Sequence, residues 1–449
     1  QLATSWESTP DGKMWTFKLR PGVKFHNGEP FNAQTIAWWV PKFAGTENAY
    51  MTEAIEKVEV VDDLTVKVTL SKPNGSLLPA LADPRASMVP VEFEQIGFKE
   101  PMKFAATGAW IPTSYVDGTR QTFKANPDYY RAWDEGGRPG FDTYEKVVIA
   151  DRGSLVAAFI SGQIDVLAGV QPQEEAQLAS VKGVQKSLTP GPTWDHFAVN
   201  LKLPQFQDDR VRQAFQLALD YKAFSDPLGA GWLYGGPVHA MFPESLTSEE
   251  LSKMPGYNPA TKAADLANAQ KLMEAAGFPQ GQGIKFKQIN SSAASLDSSV
   301  RLKEMWSKAF PKAEVNVSTN SDYAQFTSAL NGRTYEARSY NHTSVPDVVA
   351  EAVTYYHTKG GRNYQSYSKP WADEAMEKLQ QAFKMEEKKA IIRDFSLRYI
   401  KEGPPLLLLR IPADNVAIQG HVAGNDLVIG PWAYNSYRVS PRWVWLTEK

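Results

Sequence analysis

Residues 338–347 bring together side chains of types that can bind charged ligand groups. The run contains a guanidinium at Arg338, a phenol at Tyr340, an imidazole at His342 and a carboxylate at Asp347. Guanidinium and imidazole groups suit anions and hydroxyls, whereas a carboxylate accepts hydrogen bonds from an ammonium group. The same run therefore supports two kinds of site, one for an anionic or hydroxyl-rich ligand and one for an amine.

Motifs for catalysis and metal binding are missing from the sequence. Its six histidines show no metal-binding spacing, and it has no cysteine for a thiolate site or a disulfide. Short Ser-x-x-Lys and Ser-x-Asn runs, at Ser366 and Ser339, lack the Lys-Thr-Gly strand of the penicilloyl-type serine enzymes. We therefore expect a binding protein with no cofactor and no metal. Carboxylates are too numerous to single out a glycosidase pair, so a secreted hydrolase stays a distant alternative.

The composition is that of an ordinary globular protein of two or three domains. Its 449 residues are 43% apolar and 22% charged, and the formal net charge of −2 gives no reason to expect nucleic acid or an anionic membrane as a partner. No apolar run reaches the roughly 18 residues of a membrane span. No basic-then-apolar leader precedes Gln1, so we expect any signal peptide to have been removed.

The clearest local structure is predicted for residues 15–33. Trp15, Phe17 and Leu19 alternate with polar residues, which is the period of a half-buried strand. Turn signals follow, and Asn32 stands where the N-cap of a helix belongs. Further along the chain, apolar residues from Val211 to Leu219 recur at helical spacing, which predicts an amphipathic helix opened by residues 208–210.

These segments carry a resemblance to a known family. Ser5-Trp6-Glu7, Asp11-Gly12 and residues 15–33 resemble the opening signature of the family 5 extracytoplasmic solute-binding proteins, which serve ABC importers of dipeptides, oligopeptides and nickel. Residues 126–130 and 197–220 resemble later signatures, whereas Ala109-Trp110 replaces a usual Pro-Tyr pair. Members normally carry several tens of residues before the first signature, so we expect a first strand of lobe one and one pocket wall to precede Gln1.

The resemblance implies an α/β fold like that of type II periplasmic binding proteins, with two lobes joined by a hinge and an extra β-rich domain. We place that domain, with part of lobe one, in residues 1–126. Residues 127–230 and 426–449 would form lobe one, and residues 231–425 lobe two. Such a protein would be a monomer that captures a small solute between its lobes and delivers it to a membrane permease. It would act in the periplasm, or tethered outside the membrane of a Gram-positive host.

Element boundaries follow from the local patterns. Strands over 146–150 and 164–166, with a helix over 152–161 between them, predict a β-α-β unit. A helix is predicted over 298–310 and a strand over 335–340. The aromatic residues after 426 should pack as a tail on an earlier lobe.

The ligand site is predicted from the same resemblance. Peptide-binding relatives hold the peptide's α-ammonium with an aspartate four residues before a proline, and counting back from Pro346 puts His342 there. An imidazole is a poor substitute, so a hydroxyl-rich, anionic or zwitterionic solute is favoured over a peptide with a free N-terminus. In the alternative, the loop is shifted, His342 lies on the surface, and Asp347 is the acid of a true peptide binder. His196 is interpreted as a satisfied structural histidine, and the further candidate ligand contacts are Arg338, Tyr340, Tyr323, Trp194, Arg85 and Trp110.

Overall fold

The structure is a computed structural model that describes residues 2–44, 46, 49–83, 86–96, 100–131, 140–318, 322–345, 347–424 and 444–446. Its contacts separate two compact units. The first unit comprises residues 1–189 and 414–449, and the second unit comprises residues 190–413. The three-part division predicted from the sequence, with boundaries after residues 126, 230 and 425, differs from these units and stays a prediction.

The described elements mix strands and helices throughout the chain. The strands are β1 Ala3–Ser8, β2 Met14–Leu19, β3 Ile55–Asp62, β4 Thr65–Leu70, β5 Trp110–Val116, β6 Arg120–Ala125, β7 Thr143–Val147, β8 Val166–Ala168, β9 Gln185–Pro190, β10 Thr193–Val199, β11 Leu233–Tyr234, β12 Lys285–Asn290, β13 Glu314–Val317, β14 Ala337–Thr343, β15 Leu406–Ile411, β16 Ala413–Ile418, β17 Val422–Gly424 and β18 Val444–Leu446. The α-helices are α1 Ala33–Trp39, α2 Leu77–Leu81, α3 Phe93–Ile96, α4 Arg152–Ile160, α5 Glu175–Leu178, α6 Asp209–Ala218, α7 Tyr221–Ser225, α8 Ser248–Leu251, α9 Lys262–Ala275, α10 Ala293–Ala309, α11 Tyr323–Gly332, α12 Val348–Tyr356, α13 Pro370–Gln381 and α14 Met385–Lys401. None of these helices is long and apolar enough to cross a membrane.

A four-stranded antiparallel sheet opens the first unit, in the order β1-β2-β4-β3. Strand β2 buries Trp15, Phe17 and Leu19 against a core that also holds residues of β4, so the alternation predicted for this segment is confirmed. Asn32 caps helix α1, since its side-chain oxygen accepts a hydrogen bond from Thr35 N at 3.2 Å. That capping is also as predicted from the sequence.

Two smaller sheets of the first unit correct the predicted β-α-β unit. The strand predicted over 146–150 is β7, which ends at Val147 and pairs with β6. The strand predicted over 164–166 is β8, which begins at Val166 and pairs with β16. The two strands belong to different sheets, β5-β6-β7 and β8-β16-β9, so the predicted β-α-β unit is wrong. Helix α4 between them forms where it was predicted.

A six-stranded mixed sheet is the centre of the second unit, in the order β11-β15-β10-β14-β12-β13. Strands β12, β13 and β14 run parallel, and β10 runs antiparallel to β14 and β15. One face packs through Phe197 and Phe286 on helices α6, α9 and α10. The other face packs through Trp194 and Leu408 on helices α12, α13 and α14. Residues 190–230 therefore share a sheet and a core with residues 231–413.

Helix α6 forms as the amphipathic pattern predicts. Asp208 caps it, and the predicted apolar stripe is buried. Arg212 is also buried and lies against the end of helix α14, where its Nε donates a hydrogen bond to Gly403 O at 2.6 Å. Arg212 forms an ion pair with Asp209 as well, so each of the three nitrogens of this buried guanidinium has an acceptor.

In the second unit, the bounds of two elements differ from the predictions and one helix was not predicted. Helix α10 begins five residues before the predicted position, because Ser292 forms a capping box with Ser295. Strand β14 is shifted toward the C-terminus relative to the predicted 335–340. Helix α12 was not predicted. The aromatic tail after residue 426 lies outside the described residues, apart from β18.

Candidate functional site

The predicted site residues of β14 lie toward the end of the six-stranded sheet at which β12, β14 and β15 terminate. Ligands of open α/β sheets bind outside the carboxyl ends of the strands. Strands β12, β14 and β15 end at this edge, because β10 is antiparallel to both β14 and β15 and β12 is parallel to β14. Helices α10 and α12 begin just beyond β12 and β14.

One face of β14 carries three of the predicted residues. Arg338, Tyr340 and His342 lie directly opposite Ala198, His196 and Trp194 of β10. Cross-strand partners share a face of the sheet, so Trp194 joins this set, and His196 does too. The structure therefore brings four predicted ligand contacts together with His196, and we call these five residues the β14 cluster: Trp194, His196, Arg338, Tyr340 and His342.

His342 is buried, with 8% of its surface exposed, which contradicts the alternative that placed it on the surface. Arg362 Nη1 lies 3.1 Å from His342 Nε2. Because an arginine can only donate, this nitrogen of the imidazole must accept. The rings of Trp194 and Tyr355 pack edge-on against the imidazole, with centroids 5.5 and 5.4 Å away.

Arg338 is completely buried, and its guanidinium has few partners. Its Nη1 contacts His196 Nε2, and its Nε lies 3.4 Å from Tyr335 Oη. Its Nη2 has no hydrogen-bond acceptor, and no carboxylate lies within ion-pair distance of it, among the residues that the structure describes. The rings of Tyr335, Tyr340 and Tyr364 surround it at 5.7–6.0 Å from its Cζ.

His196 does not fit the interpretation of a satisfied structural histidine. Burial, and after it the charge of Arg338, hold the pKa of His196 well below its usual range. The imidazole is therefore neutral, and Nε2 accepts from Arg338, so the ring proton lies on Nδ1. That Nδ1 has no partner among the described residues.

Tyr323 and Tyr340 connect the β14 cluster to the surface. Tyr323, at the start of helix α11, is 57% exposed. Burial, and next a hydrogen bond with Tyr323, raise the pKa of Tyr340. Tyr340 therefore contacts the exposed Tyr323 through its hydroxyl and faces Arg338 with its ring.

The remaining predicted contacts are placed differently. Asp347 is buried and caps helix α12, with its Oδ2 accepting from Ala350 N at 2.9 Å. Trp110 belongs to the first unit, where it packs on Phe141 and Tyr144 with ring centroids 5.0 and 5.9 Å apart. Arg85 lies outside the described residues.

A polar network on the opposite face of the sheet was missed from the sequence. Asp195 forms an ion pair with Arg410 Nε at 2.8 Å and accepts a hydrogen bond from Asn341 Nδ2. Ser292 Oγ, at the start of α10, donates to Asn341 Oδ1 at 3.2 Å. The available signal was the charge inside apolar strands, namely Asp195 in β10 and Arg410 in β15. Arg362 was also missed, and it stands in a loop without such a signal.

A surface depression of about 340 Å³ lies beside the ion pair of Glu250 and Arg393 and contains none of the predicted residues. Hydrogen bonds from Arg393 and then from Thr247 N lower the pKa of Glu250 to about 2. In the part of the chain that the structure describes, no three His, Asp or Glu side chains are grouped closely enough to hold a metal ion.

Curated relatives match the chain over part of its length. The glutathione-binding protein GsiB of Pectobacterium atrosepticum is 28% identical over 287 residues, which is 62% of this chain and 53% of that protein. Its counterpart in Escherichia coli strain K12 is 25% identical over 285 residues, with the same coverage. The chain thus spans about half the length of the curated relatives it matches.

Solved structures match the fold over the full chain. Haemophilus influenzae OppA in complex with the peptide RPPGFSPFR has a TM-score of 0.80 at 20% identity, covering 100% of this chain and 90% of that one. Helicobacter pylori DppA in complex with the peptide STSA gives 0.82 at 19% identity, with 100% and 89% covered. AgaA of A. tumefaciens R10 in complex with agropinic acid gives 0.81 at 20% identity, with 100% and 90% covered. These likenesses confirm the predicted α/β fold class of type II periplasmic binding proteins.

The family itself is established by sequence. Residues 1–364 match the profile described as bacterial extracellular solute-binding proteins, family 5 middle, which is most of the chain. The signatures at residues 5–33 and 197–220 both lie within this match. The chain therefore belongs to family 5 of the bacterial extracellular solute-binding proteins.

Proposed function

We propose that this chain is the solute receptor of an ABC importer, which captures a small solute and delivers it to a membrane permease. Membership of family 5 supports this role, and the matched relatives are named or solved as binding proteins rather than enzymes. The receptor acts outside the cytoplasm, in the periplasm, as a monomer. The solute contacts the β14 cluster and Arg362 at the edge of the six-stranded sheet.

We propose further that the solute is anionic, hydroxyl-rich or zwitterionic and is not held by a free peptide N-terminus. The observation that carries this is the 3.1 Å contact between buried His342 and half-buried Arg362, with His342 at the position where the resemblance places the aspartate of peptide-binding relatives. An imidazole that already accepts from a guanidinium has no second acceptor for an ammonium group. Both groups favour a negative or hydroxyl-bearing partner. Glutathione, named for the curated relatives, has two carboxylates and one ammonium and is the first probe to test.

Native mass spectrometry of the gently purified protein tests the receptor role. We expect a small solute to be retained and to be released unchanged after incubation. Release of a converted product would instead support the secreted hydrolase. If no solute is retained and none of glutathione, agropinic acid or a tetrapeptide binds by calorimetry, the receptor role is wrong.

His342→Asp tests the ligand class, with His342→Asn as the matched control without added charge. We expect the wild-type protein to prefer glutathione over a tetrapeptide with a free N-terminus. The aspartate variant should lose that preference by about tenfold, equivalent to ~1.4 kcal/mol, because a carboxylate beside Arg362 repels anions and accepts from an ammonium. An unchanged preference in the aspartate variant contradicts the assignment.

The second candidate is a peptide receptor that uses Asp347. This carboxylate is buried just beyond the end of β14, at the start of helix α12. Asp347→Asn separates its two roles, because asparagine caps a helix about as well as aspartate but carries no charge. If Asp347 holds a peptide ammonium, the variant keeps its stability and loses peptide affinity; if it only caps the helix, both are retained.

A further inference from the structure

We propose that Arg338, together with His196 and Trp194, forms a buried subsite for a carboxylate of the captured solute. The inference rests on the proposed receptor function and adds the group of the solute that is recognised and the residues that recognise it. The ring of Tyr340, which is hydrogen-bonded to the exposed Tyr323, lies 6.0 Å from Arg338 Cζ.

Arg212 and Arg338 are the two buried arginines among the residues that the structure describes in the second unit. Arg212 donates to the carbonyls of Gly403 and Phe206 and pairs with Asp209. Arg338 has a neutral imidazole, a phenol at 3.4 Å and three aromatic rings, and its Nη2 has no acceptor among the described residues. An arginine keeps its charge when buried, so Arg338 lacks the counter-charge that Arg212 has.

The unpartnered polar atoms around the Arg338 guanidinium are all donors. Trp194 Nε1 and His196 Nδ1 are buried without partners in the described structure, as is Arg338 Nη2. All three are donors, given the tautomer of His196 that the contact with Arg338 requires. The rings of Trp194 and His196 lie 4.7 Å apart, and His196 touches Arg338. A patch with three unpartnered donors lacks an acceptor, which a carboxylate supplies together with the missing charge.

The acids nearby in the fold are already engaged. Glu351 of helix α12 accepts from Ser344 Oγ and Val345 N at 3.2 and 3.1 Å. Asp347 caps the same helix, and Asp195 lies on the other face of the sheet with Arg410. The acceptor for Arg338 therefore comes from the solute.

Arg338→Met tests the missing counter-charge without any knowledge of the solute, and Arg212→Met is its matched control. Methionine keeps most of the length and removes the charge. In solute-free protein we expect Arg338→Met to raise Tm by ~1–3 °C, because an uncompensated buried charge is removed. Arg212→Met should lower Tm by about 5 °C or more, because it strips partners from a satisfied network. Equal losses in both variants would overturn the proposal.

Ligand titrations test the carboxylate itself. Formate should raise the Tm of the wild-type protein saturably, chloride at equal ionic strength should not, and Arg338→Met should abolish the response. The wild-type protein should bind glutathione at least tenfold more tightly than glutathione amide, in which the glycine carboxylate is replaced by a carboxamide. Arg338→Met should bind the two compounds with equal affinity. A formate response that persists in Arg338→Met, or an equal response to chloride, overturns the subsite. These outcomes are independent of whether a solute is retained in native mass spectrometry, so failure of the receptor role is recognised separately.

Discussion

Gly403 is the point where the end of helix α14 approaches the first turn of helix α6. Its φ of +73° lies in the left-handed region, and a Cβ at this position would stand 2.8 Å from Gln213 N and also against Asp209 O. Both atoms are backbone, so neither can rotate away. Gly403 O also accepts the hydrogen bond from Arg212. Gly403→Ala must therefore push the start of α6 out of its place.

The size of the effect follows from two separate costs. A left-handed conformation costs a non-glycine residue ~1–2 kcal/mol. Overpacking against fixed backbone adds ~1–3 kcal/mol. We expect Gly403→Ala to lower the free energy of unfolding by ~2–5 kcal/mol in total, and the upper end of that range is exceptional for a single methyl group.

Gly277→Ala is the matched control, because Gly277 follows helix α9 with φ +90° and has open space around its Cβ position. It incurs only the conformational cost of ~1–2 kcal/mol. Urea unfolding followed by tryptophan fluorescence measures both variants, and equal m-values show that the same surface unfolds. If the two variants lower the free energy of unfolding equally, the close approach of Gly403 to α6 adds no cost to the alanine substitution, and the reasoning is refuted.

Two further variants test ion pairs of the second unit. Arg410→Met leaves the carboxylate of Asp195 buried without its cation, and since both side chains are at least 88% buried we expect a loss of ~3–5 kcal/mol by urea unfolding; a loss under ~1 kcal/mol contradicts the pairing. Glu250→Gln tests the pKa of about 2: a carboxylate whose folded pKa lies below its usual value of 4.5 stabilises the protein above pH 4.5 and loses that contribution as the pH falls through about 2. The Tm difference between wild type and Glu250→Gln should therefore be largest near pH 6 and vanish near pH 2, and a difference independent of pH argues against the ion pair with Arg393.

Local periodicity predicted the elements whose pattern is one-sided. Helix α6 has a clean apolar stripe and a capping aspartate, and strand β2 alternates, so both were found. Helix α12 was missed because almost all of its residues are buried, Glu351 and Thr354 included, which leaves no polar face to reveal the helical period. The positions of strands β7 and β8 were predicted approximately. Their pairing with β6 and β16 was not predicted, because no local pattern encodes which strands pair.

The candidate site divides in the same way. Arg338, Tyr340 and His342 were found because they share one short strand. Arg362 and His196 reach them from distant parts of the chain, and only the register of β10 against β14 brings His196 and Trp194 opposite. The charge balance around Arg338 depends on these pairings, so no sequence pattern could reveal that its guanidinium lacks a counter-charge among the described residues.

The chain leaves the first unit after Thr189 and returns at Asp414. Gly191 N donates to Pro412 O at 3.0 Å, so the two ends of the inserted segment are held side by side within the second unit. The returning strand, β16, is the middle strand of the sheet β8-β16-β9. During translation, β8 and β9 emerge long before the strand that joins them, whereas the second unit is complete as soon as β15 has appeared. The sheet β8-β16-β9 therefore cannot be completed until the whole second unit has been synthesised.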